Sequence, residues 1–298
     1  MSIYVNRETR ILVQGITGNE GAFWTKHMLD MGSKVVAGVT PGKEGQNVHG
    51  VPVYHSVARS VAETEVDAAM LFVPPRFTRD AVFEALDAAI RKVVTIADGI
   101  PLQDQIQIRA HAQRLGAQVV GGNTSGVISP GESMLGMFPY WIERVYRPGT
   151  IGVMTRSGSL TNEVTAMVVC AGYGVSTLVG VGGDQVPLSR FAEFLPAYQT
   201  DPATAAVVII GELGGTMEEE VAAEIAAGRF TKPLVAFIGG RTAPAGKRMG
   251  HAGAIVTGGT GTVASKVAAL EAAGALVADR PSAVGTLLQQ AMKKAAVK

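Results

Sequence analysis

The sequence predicts an α/β protein made of two successive strand–helix series. Short apolar runs at residues 11–14, 68–73, 150–154 and 206–210 read as buried strands. Stretches with apolar residues at helical spacing separate them, and many of the 37 glycines fall where strands end. With 298 residues and 47% hydrophobic content, the chain has room for two domains of ordinary size.

In the first series, Ile11-Leu12-Val13-Gln14 is followed by Gly15-Ile16-Thr17-Gly18-Asn19-Glu20-Gly21 and a helical stretch over 22–31. A strand, a glycine turn and a helix point backbone N–H groups and the positive helix end at a phosphate. A tight turn with no ligand has the same pattern. Residues 34–38, 68–73, 92–96 and 117–120 read as further strands, with helices over 76–90 and 102–115. Strands alternating with helices give a parallel sheet with right-handed crossovers, so a Rossmann-like first domain is expected. The second strand runs into Gly38-Val39-Thr40-Pro41-Gly42-Lys43, a cation where a nicotinamide dinucleotide site wants a ribose-binding carboxylate. That points to a ligand with additional phosphates.

Periodicity breaks over 127–148, at Ser129-Pro130-Gly131, Met137-Phe138-Pro139 and Arg147-Pro148-Gly149, which reads as an inter-domain connection. The expected division is 1–126, a connection over 127–148, and 149–298. In the second series a strand over 150–154 precedes Arg156-Ser157-Gly158-Ser159-Leu160-Thr161-Asn162-Glu163, which opens a helix running to about Cys170. Ser157 or Ser159 suits the N-cap. Hydroxyls and glycine at a helix start, beside Arg156, make an anion site or a simple cap. Glycines end the strands at Gly182-Gly183-Asp184 and Gly211-Glu212-Leu213-Gly214-Gly215. Glu218, Glu219 and Glu220 read as a charged first helical turn with no chemical role.

A last apolar run, Pro233-Leu234-Val235-Ala236-Phe237-Ile238, enters a loop from Gly239 to Ala254 in which His251 sits among small residues with Arg241, Lys247 and Arg248 nearby. A loop at the carboxyl end of a strand is where such folds place chemistry. Glu212, also at a strand end, has the chemistry to accept the Nδ1 proton of His251 and leave Nε2 nucleophilic. An incidental surface histidine and a solvated glutamate are the plainer alternatives. Helices over 263–273 and 283–294 close the chain.

Lys and Arg number 26 against 25 Asp and Glu, a net charge of +1, so nothing asks for nucleic acid or an anionic membrane as partner. Cys170 is the single cysteine, which rules out an intrachain disulfide or a cysteine-built metal site; its apolar neighbours suggest a buried, inert thiol. No metal ligands are assigned. Neither a signal-peptide core nor a run of about 18 apolar residues is present. A reducing cytoplasm is expected, and a processed mitochondrial-matrix protein would look alike.

Together these stretches resemble the nucleoside-diphosphate-forming acyl-CoA synthetases, the α subunits of succinyl-CoA synthetase in particular. The resemblance runs nearly end to end. It is carried by Gly15-Ile16-Thr17-Gly18, Val39-Thr40-Pro41-Gly42-Lys43, Gly99-Ile100-Pro101, Arg156 to Thr161, Gly182-Gly183-Asp184, Gly211 to Gly215 and, above all, Thr242-Ala243-Pro244 with Gly246 to Ala254. It implies a flavodoxin-like second domain and phosphorylation of His251 by ATP or GTP, bound with Mg²⁺ on a partner β subunit of ATP-grasp fold, in an αβ or α₂β₂ assembly. It further implies transfer of the phosphoryl group to a carboxylate and thioester formation with coenzyme A. Glu212 would orient His251, and Ser157, Gly158 and Ser159 would hold the phosphohistidine. Thr17, Gly18, Asn19, Glu20 and Lys43 would bind CoA, with Val73, Pro74 and Asn123 along its pantetheine arm. The chain agrees in having no GxxxxGK[ST] segment.

Departures fall where the acyl substrate is expected. Gly121-Gly122-Asn123-Thr124-Ser125-Gly126 stands where the family has Gly-Pro-Asn-Cys-Pro-Gly, Asn162 where it has tyrosine, and Pro139-Tyr140-Trp141 where it has Pro-Gly-His. Tyr146-Arg147-Pro148-Gly149 and Asn162-Glu163 look more like ATP-citrate lyase and citryl-CoA synthetase. Arg156, Thr124 and Asn162 are the expected substrate residues. Succinate is the expected acid, with malate, citrate or a similar carboxylate as the alternative. A CoA-binding protein without turnover and a nicotinamide oxidoreductase are the competing classes.

Overall fold

The computed structural model describes residues 3–241, 251–254, 256 and 261–296. It divides into two units, one of residues 4–138 with 186–189, the other of residues 139–185 and 190–298 with the first three residues.

In the first unit the strands are β1 (Arg10–Gln14), β2 (Lys34–Val39), β3 (Asn47–Val48), β4 (Val51–Tyr54), β5 (Ala68–Leu71), β6 (Lys92–Thr95) and β7 (Gln118–Val120). They form one sheet in the order β3-β4-β2-β1-β5-β6-β7. All neighbours are parallel except the β3–β4 hairpin. Without that hairpin's first strand the order is that of the Rossmann fold, with its switch point between β1 and β5. Helices α1 (Asn19–Met31), α2 (Val57–Glu63), α3 (Thr78–Asp87) and α4 (Leu102–Arg114) make the crossovers. β5 is buried throughout, as a parallel strand covered on both faces must be. The core around it joins Leu12, Leu71, Val93 and Val119 to Val82, Leu86 and Ile108 of the helices.

The stretch read as a bare connection holds an antiparallel hairpin, β8 (Gly126–Ser129) and β9 (Ser133–Gly136). Ser129-Pro130-Gly131 is its turn, and Ser33 Oγ accepts the Met134 N–H at 2.8 Å to tie it to the first unit. Glycine and proline mark a turn without saying whether strands flank it.

The second unit has parallel strands β10 (Pro148–Thr155), β11 (Val175–Gly180), β12 (Ala206–Glu212), β13 (Leu234–Gly239) and β14 (Leu276–Ala278), running β14-β13-β12-β10-β11. Counted along the chain this is the flavodoxin-like order 2-1-3-4-5, with its switch point between β10 and β12. Helices α5 (Gly158–Cys170), α6 (Phe191–Thr200), α7 (Met217–Ala226), α8 (Val263–Ala272) and α9 (Val284–Ala296) complete the unit. Cys170 is exposed rather than buried, because it falls on the outer face of α5 while Val164, Thr165 and Val168 face in.

Candidate active site

The carboxyl ends of β10 and β12 flank the second switch point, and three polar residues meet there. β10 delivers Arg156 one residue past its end, and β12 ends on Glu212 itself. The two strands are in register, Thr155 opposite Ile210, so these side chains emerge side by side. Arg156 Nη2 lies 3.0 Å from Glu212 Oε1, with the guanidinium 3% and the carboxylate 11% exposed. The contact is an ion pair without a directed hydrogen bond to Oε1. The other oxygen, Oε2, lies 2.7 Å from His251 Nδ1. A carboxylate only accepts, so Nδ1 carries the proton and Nε2 keeps its lone pair whenever the ring is neutral. The ring is 24% exposed, within reach of a substrate.

This company raises the His251 pKa from its ordinary value. The hydrogen bond to Glu212 contributes most; partial burial opposes it, the Glu212 charge adds to it, Arg156 opposes it, and Asp184 adds to it. Gly183 lets the ring in, since a Cβ there would stand 2.4 Å from its Cγ and Nδ1. The Gly183 carbonyl accepts the Gly253 N–H at 3.1 Å and fixes the chain just beyond the histidine. Of the cations assigned to this loop, Arg241 donates to the Ala278 carbonyl at 3.4 Å, while Lys247 and Arg248 lie outside the described residues.

Ser157, Gly158 and Ser159 form the start of α5. Ser157 is the N-cap and its Oγ accepts the Leu160 N–H at 3.4 Å; Gly158 and Ser159 are exposed. A 13-residue helix thus presents its positive end beside β10. Asn162, one turn on, is exposed and accepts the hydroxyl proton of Tyr146 on its Oδ1. Burial drives the Tyr146 pKa well up, which keeps that hydroxyl a donor. Arg156, expected beside the substrate, pairs with Glu212 and donates to the Gly214 carbonyl, 3.1 Å away. Thr124 is buried on the first unit, where its Oγ1 accepts the Gly126 N–H at 3.0 Å.

Every residue assigned to CoA lies at a strand's carboxyl end or in the helix turn that follows, within the first unit. Thr17 and Gly18 follow β1, with Asn19 and Glu20 opening α1; Lys43 follows β2, Val73 and Pro74 follow β5, and Asn123 follows β7. Thr17 Oγ1 donates to Thr40 Oγ1 at 3.1 Å, joining the first turn to the one that carries exposed Lys43. Gly15 has φ +78°, and a Cβ there would press to 2.3 Å from the Phe72 carbonyl oxygen, so only glycine makes this turn. Gly18 caps α1 without a side-chain hydrogen bond, leaving first-turn N–H groups to a phosphate. Glu20 is engaged by the Trp24 indole at 3.1 Å. These residues fit a phosphate-bearing cofactor.

Sequence reasoning overlooked two further residues. Glu218, read as part of a charged first helical turn with no chemical role, is fully buried and accepts the Glu212 backbone N–H on Oε1 at 3.1 Å. Its partner is Lys266 of α8, also fully buried. A lysine among the small and apolar residues of Val263–Leu270 was the available signal.

Residues 6–99 match the CoA-binding domain family and residues 154–276 the CoA-ligase family. The chain is 69% identical over 290 residues to the ADP-forming sulfoacetate–CoA ligase subunit SqwL of Acholeplasma sp., covering 97% of this chain and 98% of that one. It is 50% identical over 279 residues to a succinate–CoA ligase [ADP-forming] subunit alpha of Archaeoglobus fulgidus, covering 94% of each. Among solved structures, ATP citrate lyase of Methanosaeta concilii in complex with (3S)-citryl-CoA aligns over 98% of this chain with a TM-score of 0.89 at 28% identity. The present chain spans about half of that enzyme's, 51% of its length. A CoA-binding unit followed by a ligase unit, matched along nearly the whole length by such subunits, places the chain in the family of ADP-forming acyl-CoA ligase subunits, alongside the succinate–CoA ligase α subunits.

Proposed function

We propose that this chain carries the phosphohistidine and the CoA site of an ADP-forming ligase whose ATP and Mg²⁺ are bound by a partner β subunit of ATP-grasp fold. The carrying observation is the 2.7 Å contact of His251 Nδ1 with Glu212 at the second switch point, which leaves Nε2 as the nucleophile. Nε2 attacks the γ-phosphorus of ATP; an N–P bond forms, the O–P bond to ADP breaks, and ADP leaves. Glu212 offsets the positive charge that the ring then carries. The start of α5, at Ser157, Gly158 and Ser159, holds the phosphoryl oxygens by backbone N–H groups and its dipole. A carboxylate oxygen of the acid takes the phosphoryl group from Nε2, giving an acyl phosphate and restoring the neutral imidazole. Attack by the CoA thiol on the acyl carbon expels inorganic phosphate, and the thiol proton passes to solvent. Thr17 to Glu20 and Lys43 hold the cofactor's phosphates, with Val73, Pro74 and Asn123 along its arm.

For the acid, sulfoacetate replaces the succinate expected from the resemblance. Identity of 69% to a sulfoacetate ligase subunit, against 50% to a succinate ligase subunit, supports this. The Tyr146–Asn162 pair suits an anionic acid of either kind: with Oδ1 occupied, the Asn162 amide offers its two N–H donors to a sulfonate or a carboxylate. The test is a CoA-ligation assay of the complete enzyme with sulfoacetate, succinate, malate and citrate. A kcat/KM for sulfoacetate at least about tenfold above every other acid is expected; preference for succinate would return the chain to the commoner chemistry.

A further inference from the structure

The buried Glu218–Lys266 pair lies behind the site rather than in it, and it touches the backbone of Glu212. Glu218 Oε1 accepts the Glu212 N–H at 3.1 Å, and Oε2 pairs with Lys266 Nζ. Lys266 Nζ donates to the Gly215 carbonyl at 3.0 Å and meets Glu219 Oε2 at 3.0 Å. One ammonium thereby ties α8 to the start of α7 and to the turn after β12. Gly211 is shaped to this arrangement, because a Cβ there would stand 2.3 Å from Glu218 Oε1. The same turn is held from the other side, where Gly214 accepts from Arg156 and donates to the Gly261 carbonyl at 2.7 Å.

Stability alone explains such a pair badly. Removing two charges from water is costly, and apolar replacements of similar volume are often neutral or stabilising. What an apolar pair cannot do is accept the N–H of Glu212 and fix its Cα. We infer that Glu218 and Lys266 are positioning residues that hold the Glu212 carboxylate in register with His251 Nδ1. This rests on the reading of His251 as the phosphorylated residue; the clamp itself is a claim about geometry and is tested separately.

The test uses the full-length chain with the subunit it co-purifies with. The chain's five histidines are isotope-labelled and the His251 resonance is assigned by its loss in His251→Asn. Among the described residues the groups facing His251 are Glu212, Arg156 and Asp184, and all three are retained in every variant. In the Glu218→Met/Lys266→Met variant, checked for folding by circular dichroism, His251 is expected to titrate at a lower pH than in the wild type, because its bond to Glu212 loosens. Phosphorylation of His251 by Mg-ATP slows by about 10²-fold, the scale of a 1 Å misplacement. Glu218→Gln keeps one acceptor oxygen but turns its NH2 on either the Glu212 N–H or the Lys266 ammonium, so both properties are expected to fall between those of the wild type and the double variant. Gly211→Ala, which pushes Glu218 aside while leaving both charges, moves His251 in the same direction as the double variant and serves if that variant does not fold. A folded double variant or Gly211→Ala protein with wild-type His251 titration would overturn the clamp. A wild-type complex that takes no phosphate on His251 would overturn the proposed function, while the titration still decides the clamp.

Discussion

At His251 the two ring nitrogens have different work. Nδ1 is committed to Glu212, and Nε2 reacts only when the ring is neutral. Because the Glu212 hydrogen bond holds the pKa up, the rate of His251 phosphorylation falls as pH drops through this raised pKa. Glu212→Gln moves that acid limb to lower pH and slows labelling by about 10²-fold or more, measured as rate against pH. The linked stability has the opposite dependence. A raised folded-state pKa means the native protein binds this proton more tightly than the unfolded chain, so the pair stabilises fully below the ordinary histidine pKa and loses its effect as pH rises through the raised value. Gly183→Ala puts a methyl group where the ring lies and should cost about 10²-fold in labelling with the melting temperature little changed. The meeting of His251 with Glu212 was legible because Glu212 ends β12 and His251 lies in the loop that follows β13, both among glycines. Glu218 was not, since three consecutive glutamates after Thr216-Met217 have the pattern of an ordinary solvated first turn. Only the depth of Lys266, set by how α8 packs on α7, distinguishes the first from the other two.

At the scale of elements, the proposed function gives the binding to two strand-to-helix turns. α5 begins on a Ser157 cap whose hydrogen bond is long, 3.4 Å, so Ser157→Ala should lower stability by only about 0.5 kcal/mol. Phosphohistidine lifetime in the same variant should shorten if the helix start holds the phosphoryl group, which a decay assay measures. The β1–α1 turn is less forgiving. Gly15→Ala forces a side chain into a φ of +78° against the Phe72 carbonyl, at a cost of roughly 1–3 kcal/mol, and should weaken CoA binding in a titration calorimeter. Most strands were legible as apolar runs of four to seven residues closed by glycine. Short pairs were not: β3 has two residues, and β8–β9 is broken by Ser129-Pro130-Gly131, so neither has enough length for a period to register.

For the whole molecule, the strand orders matter more than their number. A Rossmann order and a flavodoxin-like order each create one switch point, and the two assigned chemistries, cofactor phosphates and phosphohistidine, fall at one each. Alternating strands and helices foretold both folds, but the acid depends on side chains such as Tyr146 and Asn162, whose pairing no periodicity reveals. The most direct test of the account is phosphorylation of His251 in the complete enzyme supplied with Mg-ATP labelled on the γ-phosphate. The account predicts acid-labile, base-stable label on this chain, absent from His251→Asn, and discharged by sulfoacetate with CoA. Wild-type enzyme that ligates CoA without such label, or His251→Asn labelled as well as wild type, would contradict it.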